Sequence, residues 1–277
     1  MGTLQRKLQT FLGRLAAEPP FRLFSRSLVQ HFGRSMRTKA LWDAVERPHY
    51  LMGMLRAVDQ AKRQRVPEIC VAEFGVAQGD GLFLLEKYAE AVERETTTRI
   101  RVYGFDTGTG LPELSGDYRD HPDFYRVGDY PSAVESIRSK LTDRTSLIVG
   151  NVAGTVERFV EQDQQVPLGF AVIDVDFYTS TRDALKILSH PQRKLLHRVA
   201  LYFDELDLDY FHQWAGEFLA INEFNAANAH VKIDKWHGVH KHRPFPENPK
   251  LLGMYVCHDL EAISRVVLAR EPVARAT

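Results

Sequence analysis

Glu68-Ile69-Cys70-Val71-Ala72-Glu73-Phe74-Gly75-Val76-Ala77-Gln78-Gly79-Asp80-Gly81 decides the fold. An apolar run of strand length stops at Phe74 and gives way to three glycines. Beyond them, Leu82, Leu85, Ala89 and Val92 share one face of a helix over 82–92. A strand that passes through a glycine turn into an amphipathic helix is the first half of a βαβ unit. Working outward, short apolar runs at 100–105, 146–149, 169–173 and 199–203 read as further strands, and 132–141, 156–160 and 181–188 as helices. Ser180-Thr181-Arg182-Asp183 has the pattern of a capping box opening the last of these. Two more strands, 230–236 and 252–257, flank a Pro-rich loop.

This alternation defines an α/β chain: a doubly wound, Rossmann-like, mostly parallel seven-stranded sheet with helices on both faces and extra N-terminal helices. It divides the sequence into an N-terminal helical appendage or cap at 1–65, the α/β domain at 66–265 and a tail at 266–277. With 277 residues and 44% hydrophobic content the chain can bury one large core. No run reaches the roughly 18 apolar residues of a membrane span. Cys70 and Cys257 are too few for a disulfide framework or a Cys-based zinc site, and they fit a reducing, cytoplasmic compartment.

Thirty-six Lys+Arg balance 36 Asp+Glu, which removes the electrostatic case for a nucleic-acid partner. The balance is uneven, because residues 1–66 carry 13 Lys+Arg against 4 Asp+Glu. This opening, loosely amphipathic through Leu4, Leu8, Phe11, Leu12 and Leu15, reads as an appendage with a solvated basic face, broken at Pro19-Pro20. The same composition serves a transit peptide or a membrane-surface helix, and its face offers packing for a second copy of the chain, a homo-oligomer.

Ligands of a doubly wound sheet bind off the carboxyl ends of its strands. Gly75, Gly79 and Gly81 follow the first strand, where backbone can approach a ligand closely, and Glu73 places an acid on the strand itself. The spacing is not GxGxxG, and no Gly-Lys-Ser/Thr follows, which excludes a P-loop. Asp106 ends the second strand, about 25 residues past the glycine turn, where a ribose diol is gripped. Asp174 and Asp176 follow the fourth strand, and Asp204 and Glu205 the fifth. Four carboxylates on adjacent strand tips repel one another unless a proton or cation intervenes, and such oxygen-rich clusters suit Mg²⁺. Taken singly, these acids serve equally as turn formers or helix caps.

Three stretches resemble class I S-adenosylmethionine-dependent methyltransferases, closest in pattern to the macrocin O-methyltransferase-like group. They are Glu73-x-Gly75-Val76-x-x-Gly79, Phe105-Asp106-Thr107-x-x-Gly110-Leu111-Pro112-Glu113, and Asp174-Val175-Asp176-Phe177-Tyr178-x-Ser180-Thr181-x-Asp183-Ala184-Leu185. The resemblance covers roughly 66–224. It implies S-adenosylmethionine as cofactor, its methionine end held by Glu73, Gly75, Gly79 and Gly81, its ribose by Asp106, and its adenine near Asn151, with Asp174 beside it. It further implies Mg²⁺ on Asp174, Asp204 and Glu205, and a small-molecule methyl acceptor (a sugar, phenol or natural product) whose hydroxyl lies near Asp176. A hydroxyl is a poor nucleophile at neutral pH, and this carboxylate is the candidate base. Ala77 stands where many methyltransferases have a second glycine, Gly108 replaces an aromatic, and Glu205 replaces an Asp.

A second cluster lies in the tail: His230, His237, His240 and His242 beside Trp236, Lys241 and Arg243. His237 and its neighbours read either as a solvated loop or as a substrate-facing lid that supplies a base or anion contacts. Their spacing does not define a zinc site. Asp174-x-Asp176 also occurs after strands of phospho- and glycosyl-transfer enzymes, and a non-catalytic cofactor-binding protein would keep the glycine turn. Neither transferase class accounts for Glu73 together with Asp106.

Overall fold

The computed structural model describes residues 21–114, 116–207 and 212–266. Three helices, α1 (Phe21–Phe32), α2 (Met36–Leu41) and α3 (Pro48–Gln64), precede β1 (Glu68–Phe74). Then follow α4 (Asp80–Glu95), β2 (Arg99–Asp106), α5 (Val134–Arg138), β3 (Thr145–Val149), α6 (Val152–Arg158) and β4 (Leu168–Ile173). The chain continues through α7 (Tyr178–Ala184), α8 (Lys186–Ser189), β5 (Leu195–Phe203), α9 (Gly216–Ala227), β6 (Val231–Lys235), β7 (Met254–Asp259) and α10 (Leu260–Ser264).

The seven strands form one sheet in the order β3-β2-β1-β4-β5-β7-β6. β1 to β5 pair in parallel, whereas β7 runs antiparallel between β5 and β6. All of β4, and all of β1 beyond Glu68, is buried, as expected for parallel strands covered on both faces. Strand order reverses between β1 and β4, so the crevice off their carboxyl ends is the topological switch point.

On one face α3 and α4 bury Tyr50, Met54, Leu82 and Leu85 against Val71, Phe170 and Tyr202. On the other, Phe74, Phe105 and Phe159 pack with Tyr178, Phe203 and Phe224. Leu51, Met54, Leu55 and Val58 give α3 its buried stripe, and Pro48 opens it with φ already helical. Close contact is possible because position 53 is glycine: a Cβ there would stand 2.3 Å from Phe170 Cε2.

The expected boundary after residue 65 therefore does not separate two packing units. Residues 48–64 form a core helix of the α/β domain, because β4 and β5 need apolar cover on that face. Of the described elements before it, only α1 sits outside the core: it has no buried residue and exposes Phe21, Leu23, Phe24, Leu28 and Phe32, whereas α2 joins the core through Ala40. The opening amphipathic segment, the Pro19-Pro20 break and all of the tail but Val266 lie outside the described residues. Arg243, fully buried, donates Nη1 to Ala40 O at 3.1 Å and pairs with Asp43, which ties the β6–β7 connection to the end of α2.

The expected capping box is also corrected. The helix starts at Tyr178, so Ser180 lies inside it, and Leu185 divides the expected single helix into α7 and α8. Cys70 and Cys257 are buried free thiols. No helix among the described residues is long and apolar enough to cross a membrane.

Candidate active site

At the switch point lies a cavity of about 380 Å³ whose walls come from the strand tips. Seven carboxylates line it: Glu73, Asp80, Asp106, Asp174, Asp176, Asp204 and Glu205. One guanidinium, that of Arg47, joins them.

Glu73, 1% exposed, points from β1 toward α3, where Tyr50 donates its hydroxyl to Oε1 at 3.1 Å. Its Oε2 is buried with no partner, an acceptor without a donor. Burial, then the charge of Asp174, pushes this carboxyl well above the usual carboxylate range. Arg47 occupies a left-handed position at the start of α3 and donates Nη1 to the Tyr50 hydroxyl at 2.8 Å. Burial opposes its charge, but Tyr50, Glu73 and Asp174 together hold its pKa above that of a free guanidinium.

Two glycines are required by this geometry. A Cβ at Gly81 would stand 1.8 Å from Glu73 Oε1. At Gly75 φ is +87° and a Cβ would meet the Asp174 carbonyl oxygen at 1.7 Å. Gly79 caps α4 in a left-handed conformation.

Asp106, at the tip of β2, fastens the glycine turn. Its Oδ2 accepts from Val76 N and Ala77 N at 2.9 Å each, and its Oδ1 from Gly108 N at 2.7 Å. Asn151 faces the same cavity and caps α6, its Oδ1 accepting from Ala153 N at 2.9 Å.

Asp174, Asp204 and Glu205 each place an oxygen within 4.8 Å of the other two. Asp204 Oδ1 accepts from Tyr202 at 2.6 Å and Lys250 Nζ at 3.2 Å, and Glu205 Oε2 accepts from Tyr125 at 3.0 Å. Beneath them Glu217 is fully buried, accepting from Glu205 N at 3.2 Å. Burial, then Asp204 and Asp176, raises the Asp174 carboxyl well above its usual range. Asp176 is pushed up to about 7 by burial, Glu205 and Asp204. Hard oxygen donors this close, with their mutual repulsion only partly relieved by Lys250 and Arg47, fit Mg²⁺. The orphaned acid of Glu73 beside Arg47 likewise fits the amino-acid end of S-adenosylmethionine.

Sequence-expected residues thus converge at one cavity, except for Gly79, which shapes the turn without lining the wall, and His237. His237 is exposed, sits 3.2 Å from Asp234 Oδ2 and lies outside the cavity wall. It follows β6, the edge strand, with β7 and β5 between it and the switch point. His237 itself stands off the cavity wall, although the same β6–β7 connection carries Lys250 to Asp204 Oδ1 at 3.2 Å. Arg47, Tyr50, Tyr125, Lys250 and Glu217 were not singled out from the sequence. For Arg47 and Tyr50 the available signal was Arg-Pro at the start of an apolar-periodic helix; Tyr125 and Lys250 sit in loops without periodicity.

No protein-family model and no curated protein matches the chain. Among solved structures, the calicheamicin methyltransferase CalS11 is similar with a TM-score of 0.52 at 22% identity, over 87% of this chain and 93% of that one. The O-methyltransferase NovP matches with a TM-score of 0.46 at 19% identity, over 64% and 70%. An O-methyltransferase from Bacillus cereus, in complex with SAH, matches with a TM-score of 0.41 at 14% identity, over 91% and 96%. With CalS11 the chain shares the Rossmann-like methyltransferase fold.

Proposed function

We propose that the protein is an S-adenosylmethionine-dependent methyltransferase that methylates a hydroxyl of a small molecule with the help of Mg²⁺. The observation that carries this reading is the charge pattern of the cavity. Seven carboxylates disfavour a nucleotide sugar or any phosphate-rich ligand and favour a cationic one. Arg47 and the unpartnered Glu73 Oε2 at one end match the carboxylate and ammonium of a methionine moiety. The fold shared with CalS11, a methyltransferase, supports the same class. Oxygen as acceptor atom rests on the carboxylate cluster and on the sequence resemblance.

When bound, the cofactor supplies an electrophilic sulfonium methyl, and the metal a Lewis acid that lowers the pKa of a hydroxyl. The chain's own residues provide placement. Arg47 and Glu73 hold the amino-acid end, positioned from behind by Tyr50, Asp106 holds the ribose diol, and Asn151 borders the adenine end. Asp174, Asp204 and Glu205 hold the metal. Asp176 lies on the same wall and accepts the proton that the acceptor hydroxyl loses as its oxygen takes the methyl group. The proton thus rests on an Asp176 carboxylate oxygen.

The test is calorimetric titration with S-adenosylhomocysteine, followed by transfer of labelled methyl to a panel of sugars and phenols with Mg²⁺ or with EDTA. Micromolar binding and EDTA-sensitive transfer are expected. No binding to the folded protein would overturn the cofactor assignment. Transfer unaffected by EDTA, or by Asp204→Asn, would overturn the metal.

A further inference from the structure

A second cavity, of about 810 Å³, lies along α3 and shares no wall residue with the first. Arg56 and Arg63 enter it from α3, Arg37 from α2, Arg198 from β5 and Lys241 from the β6–β7 connection. Asp59 is the single acid on its wall, and Arg37 Nη2 already contacts both its oxygens, at 2.7 and 2.8 Å. Among the described residues Arg56, Arg63, Arg198 and Lys241 form no ion pair, although Asp59 lies near enough to Arg56 to favour its charge.

Arg56 is held in place rather than swung out to solvent. Its guanidinium carbon lies 4.3 Å from the Trp236 ring centroid, and its Nε is buried without a partner. Burial, Arg198 and Arg63 weaken its hold on the proton more than Asp59 strengthens it, so positive charge prevails in the cavity. Arg63 and Lys241 are exposed and Arg56 and Arg198 half-buried, so solvent relieves part of this like-charge repulsion and a bound anion would relieve the rest. The segments outside the described residues hold few acids: Glu18, Asp209 and Glu271, against Arg6, Lys7, Arg14, Arg270 and Arg275. The relieving anion is therefore not one the chain itself supplies in quantity.

We propose that this cavity is a binding site for an organic diphosphate. Four cations match the two to three negative charges of adjacent phosphates, whereas a lone carboxylate would leave most of the charge unmatched. Guanidinium forks take phosphate oxygens two at a time. Met52, Leu55 and Val239 form an apolar floor beneath them for the organic body of the ligand. The site is distinct from the carboxylate-lined cleft, which repels such a ligand: Arg63 lies about 24 Å along the α3 axis from Arg47. The proposal stands whether or not the protein transfers methyl groups.

Calorimetric titration of the full chain in low salt without Mg²⁺ tests it, using inorganic pyrophosphate, ADP and geranyl diphosphate as separate probes. At least one diphosphate is expected to bind, and binding should weaken about tenfold in each of Arg198→Gln and Lys241→Gln. Arg26→Gln, the same charge loss on α1 outside the cavity, should leave it unchanged, and Asp59→Asn should tighten it. Equal binding of all three probes identifies the diphosphate group itself as the determinant. A preference for ADP identifies a nucleotide, and a preference for geranyl diphosphate a lipid-derived ligand. The proposal fails if none of the three binds, if Arg198→Gln and Lys241→Gln bind as the wild type does, or if pyrophosphate competes with S-adenosylhomocysteine.

Discussion

The Tyr50 hydroxyl donates to Glu73 Oε1 at 3.1 Å, joining the core helix α3 to the buried acid of the central strand. Because that hydroxyl also accepts from Arg47 at 2.8 Å, one phenol positions both an anion and a cation at the cavity floor. Tyr50→Phe should weaken S-adenosylhomocysteine binding about tenfold, and Arg47→Met by roughly 10- to 100-fold. Neither should alter binding of 5′-methylthioadenosine, which lacks the amino-acid moiety. Equal losses for both ligands would show that this end does not meet the methionine part.

Gly81→Ala drives a methyl group into Glu73 Oε1, so the carboxylate must leave its Tyr50 hydrogen bond and swing into the cofactor cavity. We expect loss of cofactor binding and a lower Tm, a cost of about 1–3 kcal/mol from overpacking. Gly154→Ala in α6, where nothing lies within 4 Å of the new methyl, should be neutral or stabilising by up to about 1 kcal/mol. Equal effects of the two changes in thermal denaturation would contradict this account.

Asp106 serves the turn before any ligand arrives, since three backbone N–H groups point at its carboxylate. Asp106→Ala should thus remove cofactor binding and also destabilise the ligand-free protein by about 1–3 kcal/mol in urea unfolding. Wild-type stability of that variant would mean that the turn holds itself.

His49, 5% exposed and packed 4.3 Å from the Tyr202 ring, has its pKa lowered from 6.5 to about 3, first by burial and then by Lys250, Arg47 and Arg243 against the opposing pull of Asp204. The unfolded chain takes up a proton near pH 6.5 that the folded chain refuses until about 3. Stability from this residue is therefore complete above 6.5 and declines as pH falls through that window, by up to about 1.4 kcal/mol per unit. His49→Phe should flatten the slope of unfolding free energy between pH 6.5 and 4.5 in EDTA. An unchanged slope would assign the acid sensitivity elsewhere.

Much of the sheet was legible because its strands are short apolar runs whose period differs from that of the helices between them. The acids at the tips were legible because topology alone places strand ends together. Arg47 and Tyr50 were not, because their meaning depends on α3 lying across β1, a long-range packing that no local pattern encodes. The same packing explains why the boundary at residue 65 failed: basic composition described the surface of α3, while Leu51, Met54 and Val58 described its core face. His237 shows the converse: it stands exposed beside Asp234, while Lys250 of the same β6–β7 connection reaches Asp204, and no local pattern tells which residue of a long loop turns toward the cavity.

That insertion also orders the protein's birth on the ribosome. β5 gains its second neighbour only from β7, some 50 residues later in the chain, so the nascent sheet presents the bare edge of β5 until 254–259 emerge. Over that interval Ala200, Leu201 and Tyr202 form an unpaired, apolar edge open to wrong partners. Conditions that slow elongation after residue 203 should favour aggregation over soluble product.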